Sequence, residues 1–422
     1  MNAPLLRLAV QSLLNRRVTA LLTMAAIALS VTLLLGVEKV RTGARLSFAN
    51  TISGTDLIVG ARSGSIQLLL YSVFRIGDAT NNISWASYQD IRKWPEVAWS
   101  VPISLGDSHR GFRVIGTTAE YFQHYKYGRK QALAFEAGKP FADLFDAVVG
   151  ADVAKELGYS VGDQIVLAHG AGAIGFAKHA DKPFTISGIL ARTGTPVDRS
   201  VHVSLQAIEA IHIDWEDGRA PRPGRAISAE EARLSVLQPK AVTAVFIGLK
   251  TRMATFSAQR KVNTYKEEAL LAVLPGVALQ QLWDTLGGLE AALSAISVLV
   301  VVTGFMGMIA VSLSALNERR REMAILRSLG AGPRHIFVLL VLEAGFLAAA
   351  AAIVGAIALY GGLWIAQPIV LSRYGVYLPI APPDAWELTL LGLVVAAGCI
   401  SGVIPALLAY RRSLADGMSV RL

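Results

Sequence analysis

The sequence predicts an α-helical membrane protein with four transmembrane helices and a large inserted extracytoplasmic α+β domain. Three observations carry that expectation. Four apolar runs, at about residues 17–40, 285–316, 336–372 and 387–410, each reach the ~20 residues a helix needs to cross a bilayer. Arginines gather at their ends, at Arg16–Arg17, Arg319–Arg321 and Arg411–Arg412, and such ends stay in the cytoplasm. A polar stretch of mixed strand and helix pattern separates the first run from the second. The composition agrees: the 422 residues are 53% hydrophobic and 17% charged, too apolar for a soluble protein and too charged for one wholly in lipid.

In chain order, residues 1–16 read as a short cytoplasmic interfacial helix, with Leu5, Leu6, Leu8, Ala9, Leu13 and Leu14 as its apolar side. The uncharged run Val18–Val37 is longer than a signal-peptide core and has no small-x-small cleavage site after it, so it is read as a retained span. Residues 41–284 form the outer domain. Its strand candidates are 55–61, 111–117, 146–151, 164–169, 184–190, 200–205 and 241–249, rich in Val and Ile and bounded by Gly, Asp and Pro. Helices are expected at Ser84–Lys93, capped by Ser84, at Gln206–Ile211 and at Arg252–Leu274, with a last strand at 275–282. Residues 285–316 combine a stalk with the second span, and Gly287–Gly288 is its expected weak point.

The loop 317–335 joins the second span to the third, 336–372. Glu318–Leu329 holds good helix formers, Gly330 suits a left-handed helix end, and Pro333 suits the first turn of the next helix. Met323, Ile325, Leu326 and Leu329 are expected to share a side that needs burial, which makes the segment a docking helix or, more blandly, an arginine-rich anchor at the headgroups. The proline-rich outer loop 373–386 is nearly free of Lys and Arg. The last span, 387–410, returns to a cytoplasmic tail, 411–422.

Chemistry is sparse. The formal charge of +9 would fit a nucleic-acid partner, but its arginines sit where topology wants them, so none is expected. With the single Cys399, neither an intrachain disulfide nor a multi-cysteine zinc site can form. Gly170–Gly175 matches G-x-G-x-x-G, yet no helical pattern follows, and a loop between strands is the better reading. There is no P-loop, H-E-x-x-H or G-x-S-x-G, so the chain is expected to be non-catalytic and to bind no cofactor. His169, His179, His202 and His212 fall within 44 residues and are the candidate metal ligands, against scattered surface histidines as the alternative. Glu343, about two turns into the third span, is a functional candidate, or else it reaches the interface or pairs with a loop arginine.

The order of parts resembles the MacB/FtsX-like permeases of ABC transporters. The loop pattern of that family, near E-x-[KR]-x-E-[IFM]-[AG]-[ILV]-[LMR]-[KR]-[AS]-[LIM]-G-[AM], is met by Glu318, Arg320, Glu322, Met323, Ala324, Ile325, Leu326, Arg327, Ser328, Leu329, Gly330 and Ala331. The end of the chain, from Pro405, is similar to the family's closing pattern and departs from it at Gly417, where proline is usual. The resemblance implies a multi-pass protein of the bacterial cytoplasmic (inner) membrane. A separate ABC-type ATPase subunit would bind ATP and dock on Glu318, Arg320, Glu322, Met323, Ile325, Leu326, Arg327, Leu329 and Gly330. It further implies a second permease chain, as a homodimer, and leaves room for a periplasmic adaptor or substrate-binding partner. The implied work is export or periplasmic extraction of a substrate of the efflux, peptide or lipoprotein type. Two other readings stay open: a membrane regulator of a periplasmic partner without cargo, and a component of transition-metal homeostasis.

Overall fold

The computed structural model describes residues 16–170, 177–215, 227–318, 320–374 and 380–411. The expected interfacial helix and cytoplasmic tail lie outside these apart from Arg16 and Arg411, as does most of Gly170–Gly175. The chain divides into two compact units: residues 44–286 with 370–377, and residues 1–43, 287–369 and 378–422.

The first unit is built on one large sheet. Its strands are β1 (57–61), β2 (97–109), β3 (112–117), β4 (135–138), β5 (146–149), β6 (164–165), β7 (168–169), β8 (177–178), β9 (184–190), β10 (200–204), β11 (244–249) and β12 (270–273). Their order is β12-β1-β11-β2-β3-β10-β5-β9-β4, with β7 pairing both β8 and β2, and β6 pairing β9. Both faces are covered, so side chains alternate between two cores, as a two-residue period requires. Ile58, Val148 and Phe246 point to one face. Val59 and Val245 point to the other, as do Ala147, Val149, Val201 and Val203. Helix Trp85–Arg92 starts at Ser84, whose side chain accepts from the Ser87 N–H, and Ser204 caps helix Leu205–His212 in the same way.

Three expectations fail here. The segment 275–282 is not a strand: Pro275 opens helix Pro275–Glu318, where its fixed φ and missing N–H cost nothing. The strand is Leu270–Val273 instead, and the expected helix Arg252–Leu274 shrinks to Thr255–Asn263. The longest strand, β2, was not expected at all. It carries Pro102 and Gly106, residues that count against a strand, and its register against β3 shifts between Leu105 and Ser108.

Among the described residues, the helices long and apolar enough to cross a membrane are Arg17–Thr51, Pro275–Leu316, Pro333–Val370 and Ala385–Arg411, and most of their residues belong to the second unit. The first runs on as helix past the apolar stretch to Thr51, and the second begins at Pro275, so Gly287 and Gly288 lie inside an unbroken helix. Small residues set the packing. A Cβ on Gly398 would lie 2.2 Å from Ala348 Cβ, and one on Gly402 2.6 Å from Ala344 Cβ. Alanines at four-residue spacing on one helix thus face glycines at four-residue spacing on the other, the close-approach pattern expected where lipid removes the hydrophobic drive between helices. Gly355 meets the first helix likewise, with a Cβ there 2.6 Å from the Ala28 carbonyl oxygen.

Candidate functional site

The loop between the second and third long helices folds as helix Arg320–Ser328. It ends in a Schellman motif: Ala331 N–H donates to Leu326 O at 3.0 Å, Gly330 N–H donates to Arg327 O at 3.0 Å, and Gly330 takes φ +97°. Pro333 then opens the next helix, as expected. The expected apolar side, however, is split. Met323 packs on Leu316, Ile336, Leu340, Ala406 and Ala409, Ala324 is buried, and Arg327 Nη2 donates to Ala409 O at 3.0 Å. Leu326 is half-buried. Ile325 and Leu329 face outward, 52% and 80% exposed, together with exposed Glu322. The outward ridge is therefore Glu322–Ile325–Leu329, spaced by three and four residues, while Met323 and Arg327 fasten the helix to the bundle. The side chains of Glu318 and Arg320 lie outside the described residues.

Glu343 is buried and lines a cavity of about 350 Å³ among the apolar helices, whose wall also includes Arg16, Thr19, Thr23 and Ser312. It shares the cavity with the arginine at the foot of the first helix, whose Nη1 donates to Ala315 O at 3.2 Å. At the other end of the bundle lies an ion pair that sequence reading missed. Lys39 Nζ is 2.8 Å from Glu387 Oε1, with the side chains 11% and 3% exposed, and the Tyr360 hydroxyl donates to Glu387 Oε2 at 3.2 Å. The signal was available: each is a charge just inside the end of a span.

In the outer domain the structure brings His169, His179 and His212 together and leaves His202 out. His202 alternates with Val201 and Val203, which join the core that helix Leu205–His212 covers, so its ring goes to the opposite face, against Tyr121 and Phe122. Burial, then Arg75, pushes its pKa down to about 3. The fourth member of the cluster is Asp107, which sequence reading missed. It lies on β2 directly across from His169 of β7. His179 follows β8, and His212 ends helix Leu205–His212.

One ligand atom from each of the four lies within 4.8 Å of every other. His169 Nδ1 is 3.1 Å from His212 Nε2 and 3.3 Å from Asp107 Oδ1, and His212 Nε2 is 3.5 Å from Asp107 Oδ1. His212 Nδ1 lies 2.8 Å from Ile208 O, which accepts and so fixes the proton on Nδ1. Both ring nitrogens of His179 are buried with no hydrogen-bond partner. Trp215 stands over the three rings, with centroids 4.6–5.7 Å away. Buried Lys182, paired with Asp181 and Asp214, ties the His179 turn to the segment just after His212. Burial raises the Asp107 pKa, but its hydrogen bonds to His169 and His212 outweigh this and bring it down to about 2. Burial and the nearby His212 take His179 down to about 4.

Comparison with known proteins gives the following. A family model described as MacB-like periplasmic core domain matches residues 20–262, and one described as FtsX-like permease C-terminal matches residues 294–414. No curated protein matches. Among solved structures, the periplasmic region of MacB from Actinobacillus actinomycetemcomitans is similar at 8% identity and a TM-score of 0.34, covering 55% of this chain and 94% of that one. The extracellular domain of the noncanonic ABC-type transporter YknZ from Gram-positive bacteria is similar at 12% identity and a TM-score of 0.30, covering 52% and 99%.

Proposed function

The chain belongs to the MacB/FtsX-like permeases of ABC transporters, whose members work with ABC ATPase partners, and we propose that it couples hydrolysis by such a partner to movement of its outer domain. The observation that supports this is the ridge Glu322–Ile325–Leu329. It presents apolar side chains outward from a helix whose opposite face is already fastened to the bundle by Met323, Ala324 and Arg327. A helix docks in a groove through anchors at such spacings, and one fastened on its other side passes displacement to the spans it joins. In this reading ATP is bound by the partner alone, and this chain needs no cofactor. The ridge and both termini are cytoplasmic, the membrane is the bacterial inner membrane, and two copies of the chain pair. The first two long helices continue without a break beyond their apolar stretches and serve as the stalks that move the outer domain. The work done is export or periplasmic extraction of a substrate of the efflux, peptide or lipoprotein type.

The magnitude follows from exposure. Fully burying a side chain of this size is worth ~1.5–3 kcal/mol, so the exposed fractions of Ile325 and Leu329 together offer about 2–4 kcal/mol, or about 30- to 1000-fold in affinity. The double variant Ile325→Asp/Leu329→Asp should therefore still insert in membranes but no longer co-purify ATPase activity from its native host. Retention of full ATPase association by that variant would leave the loop a topological anchor and overturn the proposal.

A further inference from the structure

We propose that Asp107, His169, His179 and His212 form a binding site on the outer domain for one divalent transition-metal ion of the zinc class. The site goes beyond the permease reading and does not depend on it. Its first support is spacing. Zinc bonds of ~2.0–2.1 Å to imidazole nitrogen and carboxylate oxygen, in a tetrahedron, put ligand atoms about 3.3 Å apart. The three edges among Asp107, His169 and His212 are 3.1, 3.3 and 3.5 Å. These three atoms already stand at the separations of a metal's coordination sphere, and the ligand atom of His179 lies within 4.8 Å of all of them.

The second support is the state of the rings. His212 keeps its Nδ1 proton on the Ile208 carbonyl, so Nε2, 3.5 Å from Asp107 Oδ1, is the nitrogen that faces the cluster, and an arriving ion takes the place of the proton shared there with Asp107. A ring nitrogen held this way by a backbone carbonyl is the usual setting of a metal-bound histidine. His179 is 1% exposed, and neither of its ring nitrogens has a hydrogen-bond partner. A buried polar atom without a partner costs free energy, and a metal bond at one of the two nitrogens removes that nitrogen's share of the cost.

The third support is ligand chemistry and access. Three neutral imidazoles and one carboxylate put a single negative charge against a doubly charged ion. Nitrogen ligands select zinc, copper, nickel or cobalt over magnesium and calcium, which take oxygen. The His169 and His212 side chains are 42% and 26% exposed, so an ion enters from solvent on that side, while Asp107, at 3%, forms the floor. The ligands come from a cross-strand pair, a turn and a helix end, and the Lys182–Asp214 pair already holds the last two close. Little further ordering is left to oppose binding.

The test uses the full-length protein in detergent, stripped with a chelator and then titrated with Zn²⁺ against a competing indicator. One equivalent should bind with sub-micromolar affinity. Tryptophan fluorescence should change with the same midpoint, and Trp215→Phe should lose that change. His179→Ala and Asp107→Ala should each weaken binding by at least about 100-fold, above the loss typical of an outer-shell partner. His202→Gln, on the other face of the sheet, should leave binding unchanged. Co²⁺ loaded into the unmodified protein gives a check that no folding defect can imitate: a tetrahedral site yields intense visible absorption that Zn²⁺ displaces. Less than about a tenth of an equivalent of Zn²⁺ bound, binding that survives His179→Ala/Asp107→Ala, or only weak octahedral cobalt absorption would each overturn the proposal.

Discussion

Adding one methyl group at Gly398 tests whether the close approach of the last two long helices holds the membrane unit together. The new Cβ of Gly398→Ala would stand 2.2 Å from Ala348 Cβ. Two carbons rest at ~3.5–4.0 Å, so the helices must part locally by about 1.5 Å. Ala348 is fully buried, and its neighbours Ala344, Ala351 and Ala352 belong to the same cluster, so parting loosens a row of contacts. Overpacking of this kind costs about 1–3 kcal/mol. Exchanging glycine for alanine inside a helix returns about 0.8–1.0 kcal/mol, leaving a net loss of up to about 2 kcal/mol. Gly392, on the same helix, has no atom within 4 Å of its Cβ position, so Gly392→Ala should gain the propensity term without the clash. The double variant Gly398→Ala/Ala348→Gly moves the methyl across the seam and should recover most of the loss. The assay is thermal unfolding of the detergent-solubilised chain, where a loss of 1–2 kcal/mol lowers Tm by a few degrees. If Gly398→Ala melts no lower than Gly392→Ala, or if the double variant melts below both single ones, the seam is not what sets this packing.

Two further outcomes are expected. Glu387→Ala takes from Lys39 its carboxylate partner, leaving the Ala381 carbonyl 3.3 Å away, and should cost about 1.5–3 kcal/mol, whereas Lys39→Met/Glu387→Leu should recover most of it; a single-variant loss under about 1 kcal/mol in the same melting assay would mean the pair is screened by solvent. His202, held at about 3 when folded and near its ordinary ~6.5 when unfolded, contributes stability that is full above pH 6.5 and is lost as pH falls from there toward 3, at up to about 1.36 kcal/mol per unit. His202→Gln should remove that slope relative to the unmodified chain, and identical acid profiles would show that this ring does not titrate in the way its burial dictates.

The membrane half was legible because lipid imposes rules that act along the chain itself. Charge-free runs, arginines at their ends and a glycine-then-proline helix break are local signals, and the Schellman turn at Gly330 with a new helix at Pro333 follows from them. The orientation of helix Arg320–Ser328 was not local. Met323 and Leu326 read as docking anchors beside Ile325 and Leu329, yet the bundle supplies a partner for Met323 in Ala406 and Ala409, about eighty residues further on. Apolar periodicity says which side chains need burial, not which neighbour buries them. In the outer domain the same limit hid β2, whose Pro102 and Gly106 weaken any strand pattern. It is held by β11 on one side and β3 on the other, and β11 comes from 140 residues away.

The histidine cluster shows how far spacing alone can go. His169 ends β7 and His179 follows β8, and the pairing of these two strands brings them close. His212 joins them because helix Leu205–His212 folds onto the face that carries Val201 and Val203. Strand alternation, already visible in Val201-His202-Val203, was enough to exclude His202 once that helix was placed on the valine face. Asp107 could not be placed from sequence, because its partner is set by the register between β2 and β7, where His169 meets it directly. One residue of slip in that register would turn the carboxylate to the opposite face of the sheet and leave three imidazoles with no charge among them. The site therefore depends on the irregularity between Leu105 and Ser108 that re-aims β2 at this point. The break in pairing around Gly106, unfavourable in a regular strand, is what lets an acidic side chain turn inward beside three histidines.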